Sequence, residues 1–247
     1  MYQKTTLKLS SSKTVELFLP EAAALSTQIL YVLDGPKLIP EILSFLEHIT
    51  DTILPILVSL PDEDRLNDYT PWPAPALSER FADFGGNGEH FIAWITSEVM
   101  PAVEAAVFKD ISTSSRSSDS ILLGYSLGGL LAVYTSFIDD TFSKIISISG
   151  SFWYLGWDMF IQKHRPLNPE TKYLMLYGSK EGSGKQSLQK DAVIRSKFTY
   201  KTLCSYTNKF PVFVDNGGHH NHLDERIGKA MQWILQYNYE KEVPATP

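Results

Sequence analysis

The chain has little cysteine, no long apolar run and no excess of basic residues. Its 247 residues include one cysteine, Cys204, which excludes an internal disulfide bond. No stretch approaches the ~18 uninterrupted apolar residues of a membrane span, and the first residues hold no apolar segment of the signal-peptide type. The net charge of −6, without a dense Lys/Arg cluster, argues against a nucleic-acid partner. These absences predict a cytoplasmic protein that binds neither nucleic acid nor membrane.

What is present is a regular alternation of apolar strands and helices, and 43% of the residues are hydrophobic. This predicts one α/β domain over 1–247, with a mostly parallel central sheet, helices on both faces and an antiparallel amino-terminal edge. The edge strands are predicted at 5–9 and 15–19. The other strands are predicted at 28–33, 52–59, 144–149, 172–177 and 210–214, with one more before residue 124, and the helices at 40–48, 91–108, 153–164, 191–206 and 226–237.

The segment 121–131 carries the strongest chemical signal. It reads ILLGYSLGGLL, an apolar run followed by G-x-S-x-G and a second apolar segment. A strand, a sharp turn and a helix are the context in which this motif exposes a nucleophilic serine at the carboxyl end of a sheet. Gly124 and Gly128 lack the side chains that would collide in such a turn. The pattern predicts Ser126 as a nucleophile, and the alternative is a glycine-rich turn whose serine only caps the helix.

A serine hydroxyl needs a base, which in α/β-hydrolases is a histidine late in the chain. Three of the six histidines lie in 217–222, between the last predicted strand and the last predicted helix. His219 follows a glycine pair and is the predicted base, with His220 as the alternative, and His222 is expected to open the helix. A zinc site is the competing interpretation, but the side chains of adjacent histidines point apart in most backbones and no Cys or Glu pattern accompanies them. We therefore expect no metal.

The acid that orients the histidine should follow a strand after the nucleophile. Glu181, in the loop after the strand at 172–177, is the predicted acid. Asp215 and Asp191 remain alternatives: the first directly precedes the histidine loop, and the second is expected to lie in a helix. Glu181 could also be a surface charge in its glycine-rich loop.

An oxyanion requires two hydrogen-bond donors. The N–H of Leu127, at a helix start, is one predicted donor. The second is expected from the loop after the strand at 28–33, which reads Asp34-Gly35-Pro36-Lys37. Because proline has no N–H, Gly35 or Lys37 must donate if this loop is used, and Gly35 is the predicted donor. The alternative is an ordinary turn.

Aromatic residues predict the walls of a substrate pocket. The stretch 61–88 is long and proline-rich, which is typical of a cap or substrate loop, and it contains Tyr69 and Trp72. Trp153 lies two residues after Ser151, at the end of another predicted strand. These three rings are the predicted substrate-binding residues. For any single ring, packing in the core is the competing interpretation.

Taken together, these segments resemble the "putative esterase" (esterase D-like) family of α/β-hydrolases, and within it the siderophore-esterase-like branch. The resemblance extends from about residue 30 to about residue 235. It implies an α/β-hydrolase fold with Ser126 as nucleophile, His219 as base, Glu181 as acid, and Gly35 and Leu127 near the oxyanion. Tyr125 departs from the family, where many relatives carry His or Gln. The segments that carry the resemblance are 31–35, 68–71, 85–91, 124–130, 149–153 and 218–219.

The predicted function is hydrolysis of a carboxylic ester on a small molecule, through an acyl-enzyme and without a cofactor. An acyltransferase that uses the same residues is one alternative, since only the acceptor of the acyl group differs. A non-catalytic binding protein on a hydrolase fold is another. The natural ester and the oligomeric state are left open.

Overall fold

A mostly parallel sheet forms the centre of the computed structural model, which describes residues 2–21, 28–50, 52–61, 63–108 and 119–235. Its order is β1-β2-β4-β3-β5-β6-β7-β8. β1 pairs with β2, and β2 with β4, in antiparallel register, whereas all other neighbours are parallel. The predicted α/β fold and its antiparallel edge are confirmed. The strands are β1 Tyr2–Lys8, β2 Thr14–Pro20, β3 Gln28–Val32, β4 Ile56–Ser59, β5 Asp119–Tyr125, β6 Lys144–Ile148, β7 Lys172–Gly178 and β8 Val212–Asp215.

Helices cover both faces of the sheet, as predicted. One apolar cluster packs α1 and α8 against one face, and a second cluster packs α3 to α7 against the other. None of the helices in the described ranges combines the length and the apolar character needed to traverse a bilayer. The helices are α1 Gly35–Leu46, α2 Arg65–Asp68, α3 Gly88–Trp94, α4 Met100–Val107, α5 Leu127–Ile138, α6 Trp157–Lys163, α7 Ala192–Leu203 and α8 Leu223–Ile234.

Several boundaries differ from the predicted ones, and prolines explain two of them. β4 begins at Ile56 rather than 52, directly after Pro55, which cannot donate to the ladder. The helix predicted over 91–108 is instead α3, a π-helical turn at Ile95–Val99 and α4, because Pro101 interrupts the regular hydrogen bonds. α8 begins at Leu223, three residues earlier than predicted. Its predicted last residues, 236 and 237, lie outside the described part of the chain.

The junction between β5 and α5 has no room for a side chain at Gly124 or Gly129, whereas a Cβ atom on Gly128 would be tight but would meet only side-chain atoms, the nearest at 3.2 Å. A Cβ atom on Gly124 would lie 2.2 Å from the carbonyl oxygen of Gly128. A Cβ atom on Gly129 would lie 2.9 Å from Cα of Gly150. These are backbone atoms, which cannot rotate away, so the glycines allow strand, turn and helix to approach closely.

We expect Gly124→Ala to lower the free energy of unfolding by at least about 3 kcal/mol, because the new methyl group overlaps backbone. Urea titration followed by circular dichroism measures this. Gly184→Ala is the control: its φ is +75° but nothing lies within 4 Å, so only the left-handed backbone costs about 1 kcal/mol. Equal losses in the two variants would contradict the steric explanation.

Candidate active site

Ser126 occupies a strained turn between β5 and α5. Its backbone has φ 60° and ψ −118°, a conformation rarely adopted by a residue with a side chain. Main-chain hydrogen bonds hold this conformation: Ser126 N–H donates to Ile148 O at 2.9 Å, and Ser126 O accepts from Ser151 N–H at 3.0 Å. The hydroxyl group is therefore presented at the carboxyl edge of the sheet, where the loops after β6, β7 and β8 converge.

His219 joins the serine to a carboxylate. Its Nε2 atom lies 3.0 Å from Ser126 Oγ, and its Nδ1 atom lies 3.1 Å from Glu181 Oε2. Both are hydrogen-bond distances, so one imidazole can accept the hydroxyl proton while it donates to the carboxylate. The structure thus brings together Ser126, His219 and Glu181.

Glu181 is buried, with 5% of its surface exposed, rather than a surface charge of its loop. Burial alone raises the pKa of its carboxyl group, but the hydrogen bonds from His219 and from the Gly178 N–H outweigh this, and the pKa is held below its usual value. The Gly178 N–H occupies Oε1 at 2.9 Å, which leaves Oε2 to face the histidine. The carboxylate is therefore ionised at neutral pH and fixed in direction.

The two alternative acids lie elsewhere. Asp215 accepts two hydrogen bonds from Arg226, at 2.6 Å from Nε and 2.9 Å from Nη2. Burial raises the pKa of Asp215, but the hydrogen bonds from Arg226 and from Gly217 N–H have the larger effect, so the pKa lies below its usual value. Asp191 ends a 3-10 turn before α7, and among the described contacts no hydrogen bond links it to a histidine.

Arg226 is the site residue that sequence reasoning missed. The helix predicted from 226 made it an ordinary helical arginine, yet only 2% of its surface is exposed. Its guanidinium also donates to Ser149 Oγ at 2.7 Å and to Gly218 O at 3.1 Å. No local pattern predicts a buried arginine, because two of its partners, Ser149 and Glu181, follow other strands and lie 77 and 45 residues away in the sequence.

His220 and Tyr125 form a second layer beside His219. The Tyr125 ring stacks on the His219 ring, with centroids 5.1 Å apart. The Tyr125 hydroxyl lies 2.9 Å from His220 Nδ1 and donates to His219 O at 3.0 Å. Desolvation, followed by the neighbouring His219 charge, lowers the pKa of His220. His222 precedes α8, as predicted, and bonds Glu225.

The expected oxyanion donors differ in their availability. Leu127 is the first residue of α5, so its N–H has no acceptor within the helix. The Gly35 N–H, by contrast, donates to Leu60 O at 3.0 Å, because β4 runs beside this loop. Lys37 N–H donates to Asp34 O at 2.9 Å, within the start of α1. The expectation that Gly35 supplies a free donor is therefore corrected.

The three predicted substrate-binding rings are mainly packed. Tyr69 is fully buried, and its hydroxyl donates to Pro61 O and accepts from Asp34 N–H, so its prediction as a substrate contact is wrong. Trp72 is partly buried, and its indole N–H donates to Leu155 O. Trp153 is 9% exposed. For Trp72 and Trp153, contact with substrate stays a prediction.

The described part of 61–88 packs against the same edge of the sheet. Arg65 of α2 binds Asp34 with two hydrogen bonds, at 2.8 and 2.9 Å, directly after β3. Trp72 packs on the rings of Tyr134 and Phe160. The stretch therefore lies beside the loop that follows β3, although its action as a cap stays a prediction. Within the described ranges no group of three or more His, Cys, Asp or Glu is placed to hold a metal ion.

The fold and the arrangement at the sheet edge define an α/β-hydrolase. The family model described as "Putative esterase" matches residues 7–224, and the chain belongs to that family. It is therefore a carboxylic-ester hydrolase. The uncharacterized protein YbbA of Bacillus subtilis (strain 168) is 33% identical over 223 residues, which are 84% of this chain and 85% of that protein.

Two solved structures show the same fold. An IroE-like serine hydrolase from Shewanella oneidensis superposes with a TM-score of 0.74 at 19% identity, covering 96% of this chain and 80% of that one. The siderophore hydrolase EstA from Aspergillus nidulans superposes with a TM-score of 0.70 at 16% identity, covering 95% of this chain and 94% of that one.

The lowered pKa of Glu181 makes folding stability depend on pH. A carboxyl group with a lower pKa in the folded state stabilises the protein above its unfolded pKa, and this stabilisation is lost as the pH falls through the folded value. We expect the free energy of unfolding to decline between about pH 5 and about pH 2, and to decline less in Glu181→Gln. Urea titrations across this range test it. The exposed Glu170→Gln is the control and should follow the wild type; an equally steep decline in Glu181→Gln would refute the assignment.

Proposed function

We propose that the protein hydrolyses its ester through an acyl-enzyme, with Ser126 as nucleophile, His219 as base and Glu181 as the acid that orients the base. The observation that carries this proposal is the continuous hydrogen-bonded line from Ser126 Oγ through both ring nitrogens of His219 to Glu181 Oε2. A base needs hydrogen-bond reach of the proton that it removes, and this pair has it.

In the proposed reaction His219 Nε2 takes the hydroxyl proton as Ser126 Oγ attacks the ester carbonyl carbon. The carbonyl oxygen becomes an oxyanion, to which the Leu127 N–H donates. The imidazolium then returns the proton to the alkoxide leaving group, and the carbon–oxygen bond of the ester breaks. Water repeats the sequence on the acyl-enzyme: His219 removes its proton, the hydroxyl group adds to the carbonyl carbon, and Ser126 leaves with the proton restored.

Glu181 supports this cycle by its charge and its direction. Its Oε2 atom accepts from His219 Nδ1, which keeps Nε2 free to act as the base. As the imidazolium forms, the buried carboxylate balances the new positive charge. The three residues therefore contribute as one unit rather than as separate increments.

The proposed substrate is a small-molecule ester. Membership of the esterase family supports the bond type, and the neighbour EstA is a siderophore hydrolase, which makes siderophore-type esters the first class to test. Trp72 and Trp153 are retained as proposed contacts of the acyl or alcohol part. We propose that the protein acts in the cytoplasm and that its reaction uses no cofactor.

Removing the nucleophile tests the proposal directly. We expect Ser126→Ala to abolish turnover of p-nitrophenyl acetate and to prevent labelling by a fluorophosphonate, whereas the wild type takes up one label per chain. Intact-protein mass spectrometry counts the label. Ser143→Ala, a serine at the opposite end of the sheet, is the matched control and should be labelled normally. Full turnover in Ser126→Ala would refute the proposed mechanism.

Removing candidate bases and acids tests their assignment. We expect His219→Ala and Glu181→Gln to lower kcat by about 10³-fold or more, because the base is lost or no longer directed. His220→Ala and Asp191→Asn should retain kcat within about threefold, because neither contacts Ser126 in the described structure. Steady-state kinetics on one ester measures all four variants. A larger loss in His220→Ala than in His219→Ala would reverse the base assignment.

A further inference from the structure

Arg226 connects the loops that carry the proposed base and acid. Its guanidinium reaches Ser149 after β6, Glu181 after β7, Asp215 at the end of β8 and the histidine loop, at 2.6 to 3.4 Å. A planar guanidinium with five N–H donors can bind several oxygens in fixed directions, which a lysine ammonium cannot reproduce. We propose that Arg226 is a positioning residue, which sets both the geometry of the Glu181–His219 pair and the charge that the imidazole experiences. This inference rests on the proposed function.

The first part of the inference concerns geometry. Arg226 Nη1 donates to Glu181 Oε1 at 3.3 Å and to His219 O at 3.4 Å, and Nη2 donates to Gly218 O at 3.1 Å. One group therefore contacts both the acid and the main chain that carries the base. The bonds to Glu181 and His219 are long, whereas the bonds to Asp215 and Ser149 are short and anchor the guanidinium. The two loops also share a main-chain hydrogen bond from Lys180 N–H to Gly217 O at 2.9 Å, and Arg226 adds the side-chain contact that reaches the Glu181 carboxylate itself.

The second part concerns charge. Glu181 and Asp215 bring two negative charges to this cluster and Arg226 brings one positive charge, so the cluster carries −1 when His219 is neutral and zero when the imidazolium has formed. The guanidinium of Arg226 pairs mainly with the Asp215 carboxylate, to which it donates two short hydrogen bonds. The proton taken from Ser126 is thus received by a cluster whose charge changes from −1 to zero. Without Arg226 the same cluster would carry −2, which would favour protonation of the imidazole before the serine is attacked.

The other groups around the imidazole are distributed on several elements. Tyr125 stacks on the ring from the end of β5, and His220 packs edge-on with centroids 4.8 Å apart. The Nζ atom of Lys37 in α1 lies 4.5 Å from the centre of the Tyr125 ring. The positive charge of Lys185, in the loop after β7, contributes to lowering the pKa of His220. These groups are the same in every variant below, so changes between variants report on Arg226 and Asp215.

The test compares two substitutions that change the charge in opposite directions. In Arg226→Met the cluster becomes more negative, so the base keeps its proton to higher pH. The acidic limb of the pH profile of kcat/KM therefore shifts to higher pH. In Asp215→Asn the positive charge of Arg226 is no longer balanced, so the base loses its proton at lower pH and the acidic limb shifts to lower pH. We also expect kcat to fall about 100-fold in Arg226→Met with KM within threefold, because the proposed base and acid lose their register. Arg226→Lys keeps the positive charge but not the bidentate contact with Asp215. We therefore expect the acidic limb of its pH profile to stay at the wild-type pH while kcat falls.

A matched pair of controls exists on the surface. Arg195 of α7 pairs with Asp158 of α6 away from the site, and both side chains are more exposed. Arg195→Met and Asp158→Asn should leave kcat and the pH profile unchanged. If Arg226→Met does not fold, Asp215→Asn and Arg226→Lys still decide the question. Acidic limbs that shift in the same direction in Arg226→Met and Asp215→Asn, or remain where the control variants have them, would overturn the proposal. Activity surviving in Ser126→Ala would instead overturn the proposed mechanism, so the two failures are distinct.

Discussion

The active site depends on one backbone constraint, the turn that carries Ser126 from β5 into α5. The serine has a positive φ, and such conformations cost about 1–3 kcal/mol unless the surrounding structure enforces them. Here hydrogen bonds to Ile148 and Ser151 enforce it, and Gly124 allows the helix to approach within contact of the strand. Because the hydroxyl is fixed at this point, the distances to the histidine and its carboxylate follow from where the neighbouring strands end.

Parallel strands explain why the partners converge. In the order β5-β6-β7-β8, the carboxyl ends of all four strands lie on one edge of the sheet. The loop after β7 supplies Glu181 and the loop after β8 supplies His219; His219 contacts the serine, and Glu181 contacts His219. β6 itself ends at Ile148, and the residues after it include Ser149, which binds Arg226, and Ser151, which binds the turn at Ser126.

Stability and chemistry share the same buried charges. An ionised carboxylate in the interior is costly unless hydrogen bonds and an opposite charge compensate it. Glu181 receives a main-chain N–H, a guanidinium N–H and the imidazole. Burial raises the pKa of its carboxyl group, but the bonds from His219 and Gly178 N–H outweigh this and hold the pKa below its usual value. The contacts that stabilise the buried carboxylate in the folded state are the same contacts that direct it at His219. Under the proposed mechanism, substitutions in this cluster are therefore expected to affect folding and turnover together.

The sequence by itself determined the alternation of strands and helices, the turn at Ser126, and the position of a glycine pair and a histidine in the loop after the last strand. Local periodicity and glycine placement are enough to predict these features. The sequence also limited the acid to Glu181, Asp215 or Asp191. Only the tertiary structure decided which carboxylate faces the imidazole: Arg226, from a helix late in the chain, binds Asp215 by two short bonds, and Glu181 is left to meet His219. The same reason accounts for Gly35 and Tyr69, whose hydrogen-bonding groups are taken by Leu60, Pro61 and Asp34 across the fold. Partners that are distant in the chain leave no local pattern, so their competition for a polar group becomes visible only when the strands are assembled.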